Sequence, residues 1–353
     1  MRLAPNRLFF FLLLFSVVTS PVYSQSKFRN WLKPEIDTTY IEDYSKDFIF
    51  RSYASQKYSV QNLVDSRQKI NLLYRPSNGF TVGAGVNYKM LVLNIGLVFP
   101  FTTPDSKRYG KTDHLDLQTH LYFPRFTIDF FSGYYKGQYL SNTSDFIEMS
   151  KKGIYYQRDD LKTLSAGFGI YTNMNAKRFS VRAPFTQNAR QKKSAGEPML
   201  GIETYWVSSR ADSSFVPYFV QNPNFFGGAD FNRWNVYTVN LTAGYAYNFI
   251  IAKRFFLMLS LNSSLGIGAN KLFYTDGSTH QKTIVNYSFN ERVATGYQFD
   301  RLFVGFSLVN YQLLSPTSVR GTHIRWSAGN LRFNVAYRFS PRKEFEILPW
   351  KWK

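Results

Sequence analysis

From Gly79 to Lys89 the side chains change character at every step. Phe80, Val82, Ala84, Val86 and Tyr88 fall on one face of an extended chain, and Thr81, Gly83, Gly85 and Asn87 fall on the other. The same period of two sets Leu115, Leu117, Leu121 and Phe123 against His114, Asp116, Gln118, His120 and Tyr122. It also sets Phe255, Leu257, Leu259, Leu261, Leu265 and Ile267 against Met258, Ser260, Asn262, Ser264, Gly266 and Gly268. After Gln25 no stretch approaches the roughly 18 consecutive apolar residues of a spanning helix. Such a chain must build from strands.

Strand candidates fall near 47–62, 68–76, 79–89, 91–101, 112–123, 125–136, 161–173, 178–187, 197–208, 234–249, 254–268, 282–296, 300–310 and 323–339. Most exceed the roughly five or six residues usual in soluble proteins. Lengths of about 9–11 or more suit tilted strands crossing a bilayer, with leucines facing lipid and Asn, Thr, Ser and Gly facing a polar lumen. Aromatics make up 18% of the chain and charged residues only 19%, an aromatic excess that a lipid-facing surface accounts for. They gather at strand ends (Tyr88, Phe99–Phe101, Tyr122–Phe123, Tyr134–Tyr135, Tyr245–Phe249), as interfacial girdles do. Phe333 to Phe339 resembles a closing-strand signal for outer-membrane insertion, followed by a tail, 340–353, that such signals usually lack.

The expectation is an all-β protein: one antiparallel transmembrane β-barrel of about 12–14 strands over residues 46–339. A large soluble sandwich or lipocalin-like barrel fits strand length, number and aromatic load less well. Long links at 102–111, 137–160 and 209–233 do not alternate cleanly with short turns. Either one strand is miscounted or one long segment folds inward.

The N-terminus reads as an export signal at 1–24. Arg2 and Arg7 precede the 11-residue apolar run Leu8–Val18, and small residues end at Ser24, predicting cleavage before Gln25. Residues 25–45 then form a periplasmic lead-in, and the tail 340–353 carries Trp350 and Trp352. Zero Cys excludes disulfides, a Cys-ligated zinc site, a thiol nucleophile and a lipoprotein anchor. The +20 charge, with bases scattered along an exported chain, argues for anionic lipid headgroups rather than nucleic acid.

His114, Asp116, Gln118 and His120 share the inward face of one strand. Such a row could be a metal site or part of a hydrolytic triad, but neighbours about 6–7 Å apart on a strand close on one ion only with outside help. A satisfied polar lumen network is the stronger reading. Inward Arg332 and Arg338 suggest a lumen ladder or an anion-attracting wall. Gly83, Gly85, Gly167, Gly169, Gly266 and Gly268 sit inside strands, so they leave room for bulky side chains rather than cradle a nucleotide. No Gly-x-Ser-x-Gly motif surrounds any serine. No catalytic residue, cofactor or metal is expected.

Several stretches resemble a family of Bacteroidota outer-membrane barrels, domain of unknown function 4421. They include Tyr40-Ile41-Glu42-Asp43-Tyr44, Tyr74-Arg75-Pro76, Tyr109-Gly110-Lys111-Thr112 with Leu115-Asp116-Leu117-Gln118, and Tyr135 to Leu140. Gln191 to Gly196, Ala211 to Ser214 and Ala243 to Tyr247 follow in order. The resemblance implies an exported barrel in a Gram-negative outer membrane and assigns no catalytic residue. The expected function is non-enzymatic: a narrow pore, or a binding or scaffold protein for anionic glycan or lipid. The alternative is a lipid-acting enzyme using His114, Asp116 and His120. Expected partners are outer-membrane lipid, lipopolysaccharide and, during insertion, the barrel assembly machinery; nucleic acid is not among them.

Overall fold

The structure, a computed structural model, describes residues 35–89, 91–148 and 153–341. The expected signal peptide at 1–24, residues 25–34 of the lead-in and Trp350 and Trp352 lie outside them. In chain order the strands are β1 (Ile41–Asp43), β2 (Phe48–Asp65), β3 (Ile70–Arg75), β4 (Thr81–Tyr88), β5 (Leu91–Val98), β6 (Asp113–Tyr122), β7 (Phe126–Leu140), β8 (Tyr156–Asn173), β9 (Ala189–Gln191), β10 (Ala195–Arg210), β11 (Phe231–Ile251), β12 (Phe255–Tyr274), β13 (Thr279–Gln298), β14 (Leu302–Pro316) and β15 (Thr322–Phe339).

Ten of them close an antiparallel ring in the order β2, β3, β7, β8, β10, β11, β12, β13, β14, β15. β15 returns to β2 from Phe339↔Phe48 to Thr322↔Asp65 and seals it. The all-β antiparallel barrel stands, but the closed ring has ten strands rather than 12–14. Three local facts explain the difference. Residues 178–187 are not a strand: they belong to the segment between β8 and β10, which carries the short helix α1 (Arg182–Phe185) and packs inside the barrel end. β3 and β4 lie on one line along β2, interrupted at Pro76–Phe80. Among the described residues β5 pairs only with β4, and β6 only with β7, so neither joins the ring.

Removing 178–187 from the strand count also restores the alternation. The long segments before β6, β8 and β11 now share one end. The short turns after β4, β6, β11 and β13 share the other end with the start of β2 and the end of β15. The exception is the inward-folded segment at that short-turn end, where β1 pairs with β9.

The faces follow the pleat. On β11, Tyr237, Val239, Leu241, Tyr245 and Phe249 are exposed outward, while Thr238, Asn240, Thr242 and Asn248 are buried inward. On β12, Leu259, Leu261, Leu265 and Ile267 face out, and Ser260, Asn262, Ser264 and Asn270 face in. Apolar outside and polar inside inverts a soluble sandwich and fits a lipid-facing belt. The 21 residues of β11 rise about 50 Å at a tilt near 45°, beyond the roughly 30 Å of hydrocarbon, so the ring overshoots the belt. One outward cluster departs from the pattern. Tyr58 reaches over Gly329 to donate to Asn310 (2.8 Å), and the Asn310 amide donates to Glu291 (2.8 Å).

The lumen is filled. At the long-loop end Phe215, Phe219, Phe225 and Phe226 pack on Leu63, Leu72, Leu161, Phe231 and Trp234. At the short-turn end Phe179 and Val181 pack on Ile49, Met199, Ala246, Phe256 and Met258. Inward glycines make this packing possible: a Cβ at Gly83 would stand 2.5 Å from the Tyr53 hydroxyl, and one at Gly167 would stand 2.2 Å from the Phe131 ring.

Candidate functional site

Between the two stoppers, inward side chains of β7, β8, β10, β12 and β13, with His120 of β6, form a polar network. Glu203 on β10 accepts from Tyr171 (2.6 Å), Tyr205 (2.9 Å), Ser264 (3.0 Å) and Ser288 (3.1 Å). Four hydroxyls thus solvate a fully buried carboxylate that has no ion-pair partner among the described residues. Asn290 donates to the Tyr171 hydroxyl at 3.0 Å and to Asp129 at 3.4 Å. Asp129, on β7, forms a buried ion pair with Arg292 and a 2.9 Å contact with His120 Nδ1. Immediately beyond, Phe131, Tyr205, Tyr311 and Trp326 form an aromatic layer, with Phe131 centroids 4.9–5.8 Å from the other three. Further out, Gln61, Gln138, Thr163 and Ser209 form a buried hydrogen-bonded chain at 3.0–3.3 Å.

The inward row on β6 does not converge on one centre. His114 stacks on Tyr135 at 5.5 Å. Asp116 accepts from the Tyr135 hydroxyl at 2.7 Å and pairs with Lys57 of β2 at 3.1 Å. Gln118 Oε1 is buried without a hydrogen-bond partner among the described residues. His120 belongs to the Asp129 network instead. One strand face therefore supplies three separate contacts.

The two arginines part as well, because parity gives face but not depth. Arg332 lies within the lumen, its guanidinium 4.5 Å from the Tyr53 ring centroid. Arg338 sits at the short-turn rim, stacked on Tyr44 and donating to the Asp300 carbonyl at 3.1 Å. Beside Arg332 is Arg51, 6% exposed, whose hydrogen bond reaches only the Thr186 carbonyl at 3.5 Å. Among the described residues neither Arg51 nor Arg332 has a carboxylate partner. Lys57, Arg51, Asp129, Glu203 and Arg292 went unnoticed in the sequence. Their signal was a charged residue at an inward position of an alternating strand.

A second charged cluster holds the outer stopper. Arg158 grips Asp160 through two 2.8 Å bonds and donates to the Ser214 carbonyl at 2.6 Å, while the Asp212 amide donates to Asp160 at 2.9 Å.

The family described as a domain of unknown function, DUF4421, matches residues 35–339. The chain belongs to this family. No curated protein matches the sequence. Solved structures with a similar fold include the outer-membrane protease OmpT of Escherichia coli (10% identity, TM-score 0.40, covering 84% of this chain and 98% of that one). Others are Neisserial surface protein A (9% identity, TM-score 0.23, 81% and 96%) and the toluene transporter TodX of P. putida (9%, 0.24, 84% and 91%).

In this DUF4421 barrel the clasp ties the start of β8 to the loop that carries the outer stopper. Arg158→Ala should loosen residues 211–230 by about 2–3 kcal/mol. Hydrogen exchange of that loop reads the effect, and unchanged protection would mean that the clasp does not hold it.

Proposed function

We propose that this protein is a non-enzymatic outer-membrane barrel that binds or scaffolds an anionic glycan or lipid, and that it does not conduct. The observation that carries this reading is the run of contacts across the lumen from half-buried His120 through buried Asp129, Arg292, Asn290 and Tyr171 to Glu203. An open channel needs a wetted path, and here inward side chains of β6, β7, β8, β10, β12 and β13 meet one another across it. Arg51 and Arg332, unpaired inside the lumen, supply the attraction for an anion. The apolar belt and the short turns gathered at one end support placement in an outer membrane, exported by the N-terminal signal and inserted by the assembly machinery. The resemblance noted above makes a Bacteroidota envelope the expected setting.

Refolded protein in a planar bilayer, shown to be folded by heat-shifted gel mobility, should give no steady ohmic current. Steady current from the wild type would overturn the filled-lumen reading. One contact favours a lipid-acting enzyme: the His120–Asp129 pair at 2.9 Å, the geometry of a base with its orienting acid. No serine hydroxyl is hydrogen-bonded to His120 among the described residues, which weighs against it. Acyl-chain release by purified protein, abolished in His120→Ala, would put the enzyme first.

A further inference from the structure

Toward the long-loop end β3 joins β2 to β7 and the wall is continuous. Below Pro76 the wall forks. β4 and β5 stay with β2, β6 stays with β7, and no backbone hydrogen bond joins β5 to β6 among the described residues. Both edges lie at the height of the apolar belt, since Leu93, Ile95 and Leu97 of β5 and Leu115, Leu117 and Leu121 of β6 are exposed outward. Unpaired backbone amides in hydrocarbon cost several kcal/mol each, so a slit there needs a polar occupant.

The inner side of the slit is unusual too. Val92 and Val98 share the pleat face of β5 that turns to the lumen, paired with inward Asn87 and Thr81 of β4, yet they remain 39% and 43% exposed. Behind them the Tyr53 ring lies against Gly83 and Gly96 and carries Arg332 on its face. Arg51, on the next inward position of β2, is buried, and among the described residues its Nε has no hydrogen-bond partner, nor has the Nε of Arg332. The slit thus lies between an apolar belt and two guanidiniums that lack an acid among the described residues.

We propose that the gap between β5 and β6 is a lateral doorway for an anionic glycerophospholipid, whose phosphate lodges between Arg51 and Arg332 while its acyl chains trail through the gap into the belt. The chemistry matches at each depth. Guanidiniums bind phosphate oxygens through paired N–H donors. Free edge amides meet the ester and glycerol oxygens, and the chains stay beside Val92, Val98, Leu115 and Leu117. The proposal rests on the anion-binding reading above and adds the ligand class and its route.

The test uses the full mature protein in vesicles of phosphatidylcholine containing a minority of phosphatidylglycerol with a photoreactive acyl chain. Cross-links should concentrate on β5 and β6, including the lumen-facing Val92 and Val98, and should fall by about tenfold or more in Arg51→Gln/Arg332→Gln. The rim variant Arg338→Gln should label like the wild type. Labelling spread evenly around the belt, or undiminished in the folded double variant, would sink the doorway. A second arm keeps both arginines: with Leu97→Cys and Leu115→Cys joined by a bis-maleimide before lipid is added, labelling at Val92 and Val98 should drop several-fold. Unchanged labelling would place entry elsewhere. A silent barrel that fails these tests loses only the lipid route, and a conducting barrel that passes them loses only the filled lumen.

Discussion

Arg292→Ala should destabilise the barrel by about 3–5 kcal/mol, among the largest effects of any single substitution in the lumen. Arg292 is 1% exposed, and its partner Asp129 is 2% exposed. Truncation leaves a buried carboxylate that keeps His120 and Asn290 as partners but falls far short of the solvation it had in water. The pair itself is a different quantity. Two charges taken out of water roughly forfeit in desolvation what they gain from each other, so Asp129→Asn/Arg292→Met should recover most of the loss. The check is a set of urea unfolding curves on refolded protein in detergent, read by tryptophan fluorescence. If the single variant unfolds with the wild type, Asp129 is better solvated than its surroundings indicate. If the double variant is no better than the single, the layer depends on the charges themselves.

Gly167→Val should prevent folding outright. The new Cβ would stand 2.2 Å from two atoms of the Phe131 ring. The ring cannot withdraw, because Tyr205, Tyr311 and Trp326 surround it. Phe131→Ala alone should cost about 3–5 kcal/mol by leaving a cavity in the aromatic layer. Together the two substitutions should fold better than Gly167→Val alone, since one removes the atoms the other overlaps. Recovery of the heat-shifted gel band in the double variant reads this directly. Equal failure of both would mean that Gly167 is needed for backbone bending rather than for room.

What alternation could reveal, it revealed. The leucines of β12 and the split between Leu115, Leu117 and Leu121 and the β6 polar row are where a period of two places them. What it could not reveal is anything set by partners far along the chain. Phe179, Ser180 and Val181 resemble a strand, yet all three are buried, because a stopper packs on every side. Glu291 and Arg292 are adjacent, one facing out and the other in, and only the register with β12 decides which. The fork begins at Pro76, where the missing amide and the following irregular residues break the line along β2. The β6 row was found by its composition, but Asp129, Glu203 and Arg292 stood singly on three strands. Their meeting depends on the curvature of the ring.

The seam between β2 and β15 has a consequence in time. Its pairs join residues as far apart in sequence as Phe48 and Phe339, the most distant contacts a chain of this order can make. Neighbouring hairpins can zip as they emerge, but this pairing must wait for the last 18 residues of the barrel. Until then β2 and β14 each present a long row of unanswered amides, an invitation to pair with the wrong chain. A chain truncated before Thr322 would therefore leave a nearly complete wall that is still an open sheet, and its survival would depend on how long a carrier can shield two edges.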